Sequence, residues 1–156
     1  ASDVYKRQMY DWVFGCDICQ DVCPVNIKGA YTTEQEFLNW RFTTLNLLDL
    51  LEMEESEFEE RFRNSPIKRA KRVGLQRNAC VALGNACDES TVPALSRALE
   101  TGHPLVRGHA AWALGKIGNL EAQQALRISL KTEEDPIVLE EIAFAISMES
   151  NGKNNS

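Results

Sequence analysis

The feature that most constrains this chain is an internal repeat in its second half. Ala82-Leu83-Gly84 recurs as Ala113-Leu114-Gly115, 31 residues further on. Ala94-Leu95 followed by Leu99 recurs at the same offset as Ala125-Leu126 followed by Leu130. A weaker third copy runs from Pro136 through Val138 and Ile142 to Ala145. Val92-Pro93, His103-Pro104 and Asp135-Pro136 mark helix starts, because proline suits the first helical turn. A period near thirty residues built from paired short helices predicts an α-solenoid, in which small residues let helices approach and leucines fill the layer between them.

Within that architecture, Pro104-Leu105-Val106-Arg107 leading into Ala110-Ala111-Trp112-Ala113-Leu114-Gly115 resembles short bacterial HEAT-like repeats, over roughly residues 75–149. The likeness speaks to fold and says little of function, since solenoids bind protein and nucleic acid alike.

A different signal lies near the start. Cys16-Asp17-Ile18-Cys19-Gln20-Asp21-Val22-Cys23-Pro24 holds three of the five cysteines. Thiolates spaced C-x2-C-x3-C and closed by proline suit a soft, thiophilic centre. A ferredoxin-type run is C-x2-C-x2-C-x3-C-P, and its last cysteine ligates the other cluster of a pair. By that analogy Cys16 and Cys19 share one cluster and Cys23 reaches a second. Two alternatives stand beside it: a zinc ribbon, which needs a second cysteine pair, and unligated thiols. Cys80 aligns with Ala111, a small core position, and Cys87 with Gly118 in an inter-helix turn, so neither is expected to ligate metal. Trp12 and Phe14 are expected to shield the cysteines and Trp112 to lie in the core. Trp40 and Phe42 carry no assignment.

Composition narrows the setting. The 156 residues are 44% hydrophobic, enough for a core. No apolar run is long enough for a bilayer, and the N-terminus lacks the succession of a secretory signal. An odd cysteine count with a metal-like cluster speaks against a disulfide framework and for a reducing, cytoplasmic location. The expected protein is a monomer with no membrane association. Its net charge of −6 argues against whole-surface attraction to nucleic acid, though not against a local basic patch.

Five zones are expected. Residues 1–8 are expected to be foreign, because Asp3-Val4-Tyr5-Lys6-Arg7-Gln8 resembles the read-through of a transposase adapter, although such a hexapeptide also occurs naturally; on the foreign reading the native part begins near Met9 and the chain is a piece of a longer protein. Residues 9–30 form part of a ferredoxin-like iron–sulfur module, punctuated by Gly15, Pro24 and Gly29. Residues 31–64 form a helical acidic connector, with Thr33 and Glu36 in a capping-box pattern and six glutamates between Glu52 and Glu60. Residues 65–150 form the HEAT-like repeat domain, and 151–156 a disordered polar tail.

Lys68, Arg69, Lys71, Arg72 and Arg77 follow the acidic stretch, with no carboxylate between Ser65 and Asn78. Such a patch can neutralise phosphates and makes binding salt-sensitive. It can equally be a solvated helix face paired internally with Glu52–Glu60. Gly74 suggests a turn presenting these charges rather than one continuous helix. No Ser-His-Asp, phosphate-loop or paired-carboxylate arrangement appears.

Taken in order, the pieces are more specific. Trp12-Val13-Phe14-Gly15-Cys16-Asp17-Ile18-Cys19-Gln20-Asp21-Val22-Cys23-Pro24-Val25-Asn26 closely resembles the second cysteine motif of the epoxyqueuosine reductases. Ser65-Pro66-Ile67-Lys68-Arg69-Ala70-Lys71-Arg72, Gly74-Leu75 and Arg77-Asn78 ahead of Ala82-Leu83-Gly84-Asn85 resemble that family's approach to its C-terminal repeats. The resemblance implies a cobalamin-dependent oxidoreductase with two [4Fe-4S] clusters, reducing epoxyqueuosine to queuosine at the tRNA wobble position. It implies that Cys16 and Cys19 bind one cluster and Cys23 the other. The remaining ligands, cobalamin and the catalytic acid would belong to an upstream region that this chain lacks, leaving it without a catalytic residue and inactive alone. The repeats and Lys68–Arg77 would hold the anticodon stem-loop. Val25 departs from the family, where tryptophan is usual. The rival readings are a protein-binding HEAT scaffold and another ferredoxin-type electron-transfer protein with a fused solenoid.

Overall fold

In the computed structural model of this chain, residues 3–29 and 45–152 are described, the side chains of 149–152 excepted. The expected capping box at Thr33 and Glu36, together with Trp40 and Phe42, lies outside them. The described residues are mainly helical and include no strand.

The repeats build two layers. Helices α6 (Lys71–Ala86), α8 (Pro104–Ile117) and α10 (Pro136–Gly152) lie side by side, and α7 (Val92–Thr101) and α9 (Leu120–Thr132) pack behind them. Their boundaries follow the sequence marks. The His103 ring accepts from the Leu105 N–H ahead of Pro104, and Asp135 accepts from Ile137 and Val138 ahead of Pro136. Asn119 caps α9 by accepting from Ala122. Such caps satisfy amide groups that a helix start leaves without partners.

Helix ends repeat as faithfully. Cys87 (φ 52°) and Gly118 (φ 67°) both take the left-handed conformation, donating their N–H groups to Leu83 and Leu114. This is the αL stop, for which glycine is the usual residue. Cys87 occupies the position that Gly118 fills one repeat later and adopts its geometry despite its Cβ.

The small residues set the helix spacing. A Cβ on Gly84 would lie 2.8 Å from the Trp112 ring and 2.9 Å from Ala113 Cα. Trp112 is fully buried, as expected, and its indole donates to Asp3 at 2.7 Å. Cys80 and Ala111 are likewise both fully buried.

The solenoid begins before the repeats. Helices α4 (Leu47–Glu52) and α5 (Glu55–Arg61), with the residues that end them, Met53 and Phe62, send Leu50, Leu51, Met53, Phe58 and Phe62 into the same core. Buried Gln76 on α6 donates to the Leu51 carbonyl at 2.8 Å, tying the acidic stretch to the first repeat. A 3-10 turn, Pro66–Ala70, leads into α6.

The N-terminal segment lies against the α6–α8–α10 layer. Asp3–Gln8 forms α1, and buried Lys6 pairs with Glu141 of α10 at 2.8 Å. Two short helices follow, α2 (Ile18–Asp21) and α3 (Pro24–Ile27).

One expectation is overturned. Gly74 is not a turn; it lies inside the continuous helix α6. Buried Leu75 and Gln76 anchor that helix directly after it, and packing outweighs the roughly 1 kcal/mol that glycine costs a helix interior. The break falls instead at Lys71, whose φ of 60° and ψ of 161° join the 3-10 turn to α6.

Candidate metal centre and basic surface

The three cysteines lie on a surface segment: Cys16 precedes α2, Cys19 lies within it and Cys23 stands between α2 and α3. Cys16 and Cys19 are exposed and Cys23 is half-buried. Gly15 (φ 75°) turns the chain into the loop in a conformation that glycine adopts freely. Cys23 is extended and caps α3, which Pro24 opens. The backbone N–H groups of Asn26 and then Val25, in the first turn of α3, hold the Cys23 thiol below the ordinary cysteine range. Backbone donors favour the charged form, as a metal-binding thiolate requires.

Among the described residues, no three His, Cys, Asp or Glu side chains gather about one point in a way that could hold a metal ion. The loop therefore offers thiols of suitable chemistry without a closed coordination sphere. His103 and His109 are committed within the solenoid: His103 caps α8, and buried His109 contacts the Leu105 carbonyl at 2.8 Å. Cys80 is no donor either, since burial pushes its thiol up to about 12. Cys87 points its sulfur at the Gly84 carbonyl, 3.2 Å away, in the inter-helix turn expected for it. Large apolar side chains surround the cysteine loop and stay exposed, among them Val22, Val25 and Ile27.

Two asparagines of α6 grip the approach to this loop. Asn78 donates to the Val13 carbonyl at 2.6 Å, and Asn85 donates to the carbonyls of Tyr10 at 2.8 Å and Lys6 at 3.0 Å. Sequence reasoning had no means of finding this pairing, because the partners lie 65 to 79 positions apart.

The basic segment separates into distinct groups. Lys68 is paired with Glu59, and Arg72 pairs with Glu55 at 2.8 Å while also donating to Gln76. Arg97 is matched similarly with Glu52. Internal pairing of the glutamates thus accounts for two of the five cations. Arg69 and Lys71 are exposed and form no ion pair within the described residues. Arg77 is half-buried on α6, and its Nε is buried without a hydrogen-bond partner. Lys71 also occupies a backbone region that is nearly glycine's alone, and such strain concentrates at functional positions.

A family profile described as HEAT repeats matches residues 68–147. The chain belongs to the HEAT-repeat family. Its similarity to known proteins runs beyond the HEAT repeats into the cysteine loop. It is 33% identical over 143 residues to an epoxyqueuosine reductase of Listeria monocytogenes, covering 90% of this chain and 38% of that protein. A second epoxyqueuosine reductase, from Bacillus subtilis, is 32% identical over 148 residues, covering 94% of this chain and 38% of its own length. A crystal structure of epoxyqueuosine reductase with an epoxyqueuosine-modified tRNA-Tyr stem loop superposes with a TM-score of 0.88 at 30% identity, over 96% of this chain and 40% of that one. This HEAT-repeat chain therefore spans about two fifths of the length of these relatives. No helix among the described residues is long and apolar enough to cross a membrane.

Proposed function

We propose that this chain is the cluster-binding and repeat portion of a tRNA-modifying oxidoreductase, one that reduces epoxyqueuosine to queuosine at the wobble position. The observation carrying this reading is the extent of the match: one superposition covers 96% of the chain, cysteine loop and solenoid together, on a reductase solved with a tRNA stem loop. A scaffold built of repeats alone has no need of the cysteine loop.

Cys16 and Cys19 serve one [4Fe-4S] cluster and Cys23 a second, completed by cysteines of a preceding region that also carries cobalamin. When bound, the clusters supply single electrons towards the cobalt, whose chemistry is the cofactor's own. This chain's share is to present thiols, to stabilise negative charge on Cys23 through the N–H groups of Val25 and Asn26, and to shape the surroundings of the sulfurs.

The repeats contribute to binding the anticodon stem-loop by neutralising phosphates, which positions an RNA without reading its bases. Arg69 and Lys71, which form no ion pair among the described residues, reach phosphates more readily than Lys68 and Arg72, which must first leave Glu59 and Glu55. The test is epoxyqueuosine reduction by the complete protein, with tRNA affinity measured across a salt series. Arg69→Glu with Lys71→Glu should weaken binding and flatten the salt dependence, by about one unit of slope for each phosphate no longer neutralised. Binding left unchanged by this double reversal would remove the tRNA role from this surface; absence of reduction by the complete wild-type protein would remove the reductase reading.

A further inference from the structure

We propose that Asn78 and Asn85 are positioning residues for the cluster-binding loop, acting through the backbone that leads to Cys16. The inference rests on the reading that Cys16, Cys19 and Cys23 ligate iron–sulfur clusters. It adds a role for the repeat domain, whose first helix holds the loop in place.

The two residues lie two turns apart on one face of α6, where the helical period of ~3.6 residues brings them into line. Both turn their amide N–H groups onto the same strip of chain, at Val13 and at Tyr10 and Lys6. Asn85 holds the carbonyl of Tyr10, whose φ of 47° is unusual for a bulky residue. A conformation of that kind persists when its surroundings over-determine it, and the bond from Asn85 contributes to that. Met9 and Val13 also pack onto the repeat core, so the strip is fixed by apolar contact as well. Only Phe14 and Gly15 separate the held Val13 from Cys16, at most about 10 Å of chain.

The repeat period supplies an independent observation. Residues that pack helix on helix recur one repeat later: Ala79 with Ala110, Ala82 with Ala113, Leu83 with Leu114, Gly84 with Gly115. Asn78 and Asn85 do not. Their counterparts are His109, buried against its own helix, and Lys116, so neither asparagine is a requirement of solenoid packing.

The test uses the complete protein, reconstituted without oxygen, with Asn78→Asp and Asn85→Asp. Each keeps the side chain's shape and replaces the donating amide with a carboxylate, which repels a carbonyl. Asn78→Ser and Asn85→Ser keep a small polar group should the first pair fold poorly. We expect iron release to a chelator to accelerate by about tenfold or more, as for other residues that orient metal ligands. The electron paramagnetic resonance spectrum of the reduced clusters should shift, and Asn85→Gln should partly restore it. Lower thermal stability with wild-type spectrum and iron release would overturn the inference, leaving the asparagines as structural. A complete wild-type protein without iron or sulfide would overturn the cluster reading, and the inference with it.

Discussion

A Cβ added to Gly115 would lie 2.7 Å from the Cβ of Ala145 and 2.8 Å from its Cα, so these residues mark where the second and third repeats touch. Gly84 makes the corresponding approach to Ala113. At both places the glycine ending Ala-Leu-Gly allows neighbouring helices to meet along their backbones. Gly115→Ala should therefore destabilise the chain by about 1–2 kcal/mol, since overpacking costs roughly 1–3 kcal/mol and alanine returns up to about 1 through helix propensity. Thermal melts of Gly115→Ala, Ala145→Gly and the double variant check this. The double variant should recover part of the loss, since Ala145→Gly removes the Cβ at 2.7 Å and leaves the Cα at 2.8 Å, whereas strict additivity would show that the Cβ–Cβ approach contributes nothing.

The same period made the repeat region legible before any coordinates. It marked the helix starts through proline and its preceding caps, and it aligned Cys80 with a buried alanine and Cys87 with a left-handed glycine. Three things were not legible in full. Internal pairing of the glutamates with the basic segment was one of two readings the sequence left open, and which cations it takes, Lys68 and Arg72, depends on how α5 packs. The bonds from Asn78 and Asn85 join segments distant in sequence through backbone carbonyls, and carbonyls carry no residue identity to read. Gly74 misled because glycine is a common helix breaker, but buried neighbours can hold it helical.

Arg107 and Glu133 link the turn between α7 and α8 to the turn between α9 and α10. Arg107 donates twice, from Nε to Oε2 at 2.8 Å and from Nη2 to Oε1 at 2.7 Å, and again to the Gly102 carbonyl at 3.0 Å. Its hydrogen bonds hold the Glu133 carboxyl at about 2, with the Asp135 and Glu134 amides adding to the effect. A lowered carboxyl pKa contributes stability that is present above its unfolded value of 4.5 and lost as pH falls towards 2. Solvent at the rim screens the pair, so the contribution is about 1–2 kcal/mol. Glu133→Gln should lower the melting temperature at pH 7 and have a much smaller effect near pH 2. An equal deficit at both pH values would show that this pair's charge is irrelevant.

His109 gives a pH dependence of a different origin. Burial holds it neutral, lowering its pKa from 6.5 to about 4, and the nearby charges of Lys6 and Arg77 act in the same direction. The unfolded chain therefore binds this proton more readily between pH 6.5 and 4. Stability is full above 6.5, declines through that window and levels off below it, by of order 3 kcal/mol. Replacing the ring with the non-titrating His109→Gln should flatten the melting-temperature profile between pH 7 and 4.5 relative to wild type. Parallel profiles for the two proteins would exclude His109 as the titrating group.

The five cysteines should differ sharply in reactivity. Cys80 is fully buried with its thiol near 12, so at pH 8 only about one molecule in ten thousand carries the thiolate that attacks alkylating reagents. Cys16, Cys19 and Cys87 are exposed, and the half-buried Cys23 has a lowered pKa. Metal-free folded protein treated briefly with iodoacetamide at pH 8 should be modified at the three loop cysteines and Cys87, with Cys80 reacting only after denaturant is added. Peptide mass mapping reads this directly. Iron–sulfur reconstitution of the complete protein should then protect Cys16, Cys19 and Cys23 and leave Cys87 reactive, separating ligands from a thiol that is merely accessible. Continued labelling of all three loop cysteines after iron and sulfide are bound would remove them from the ligand set.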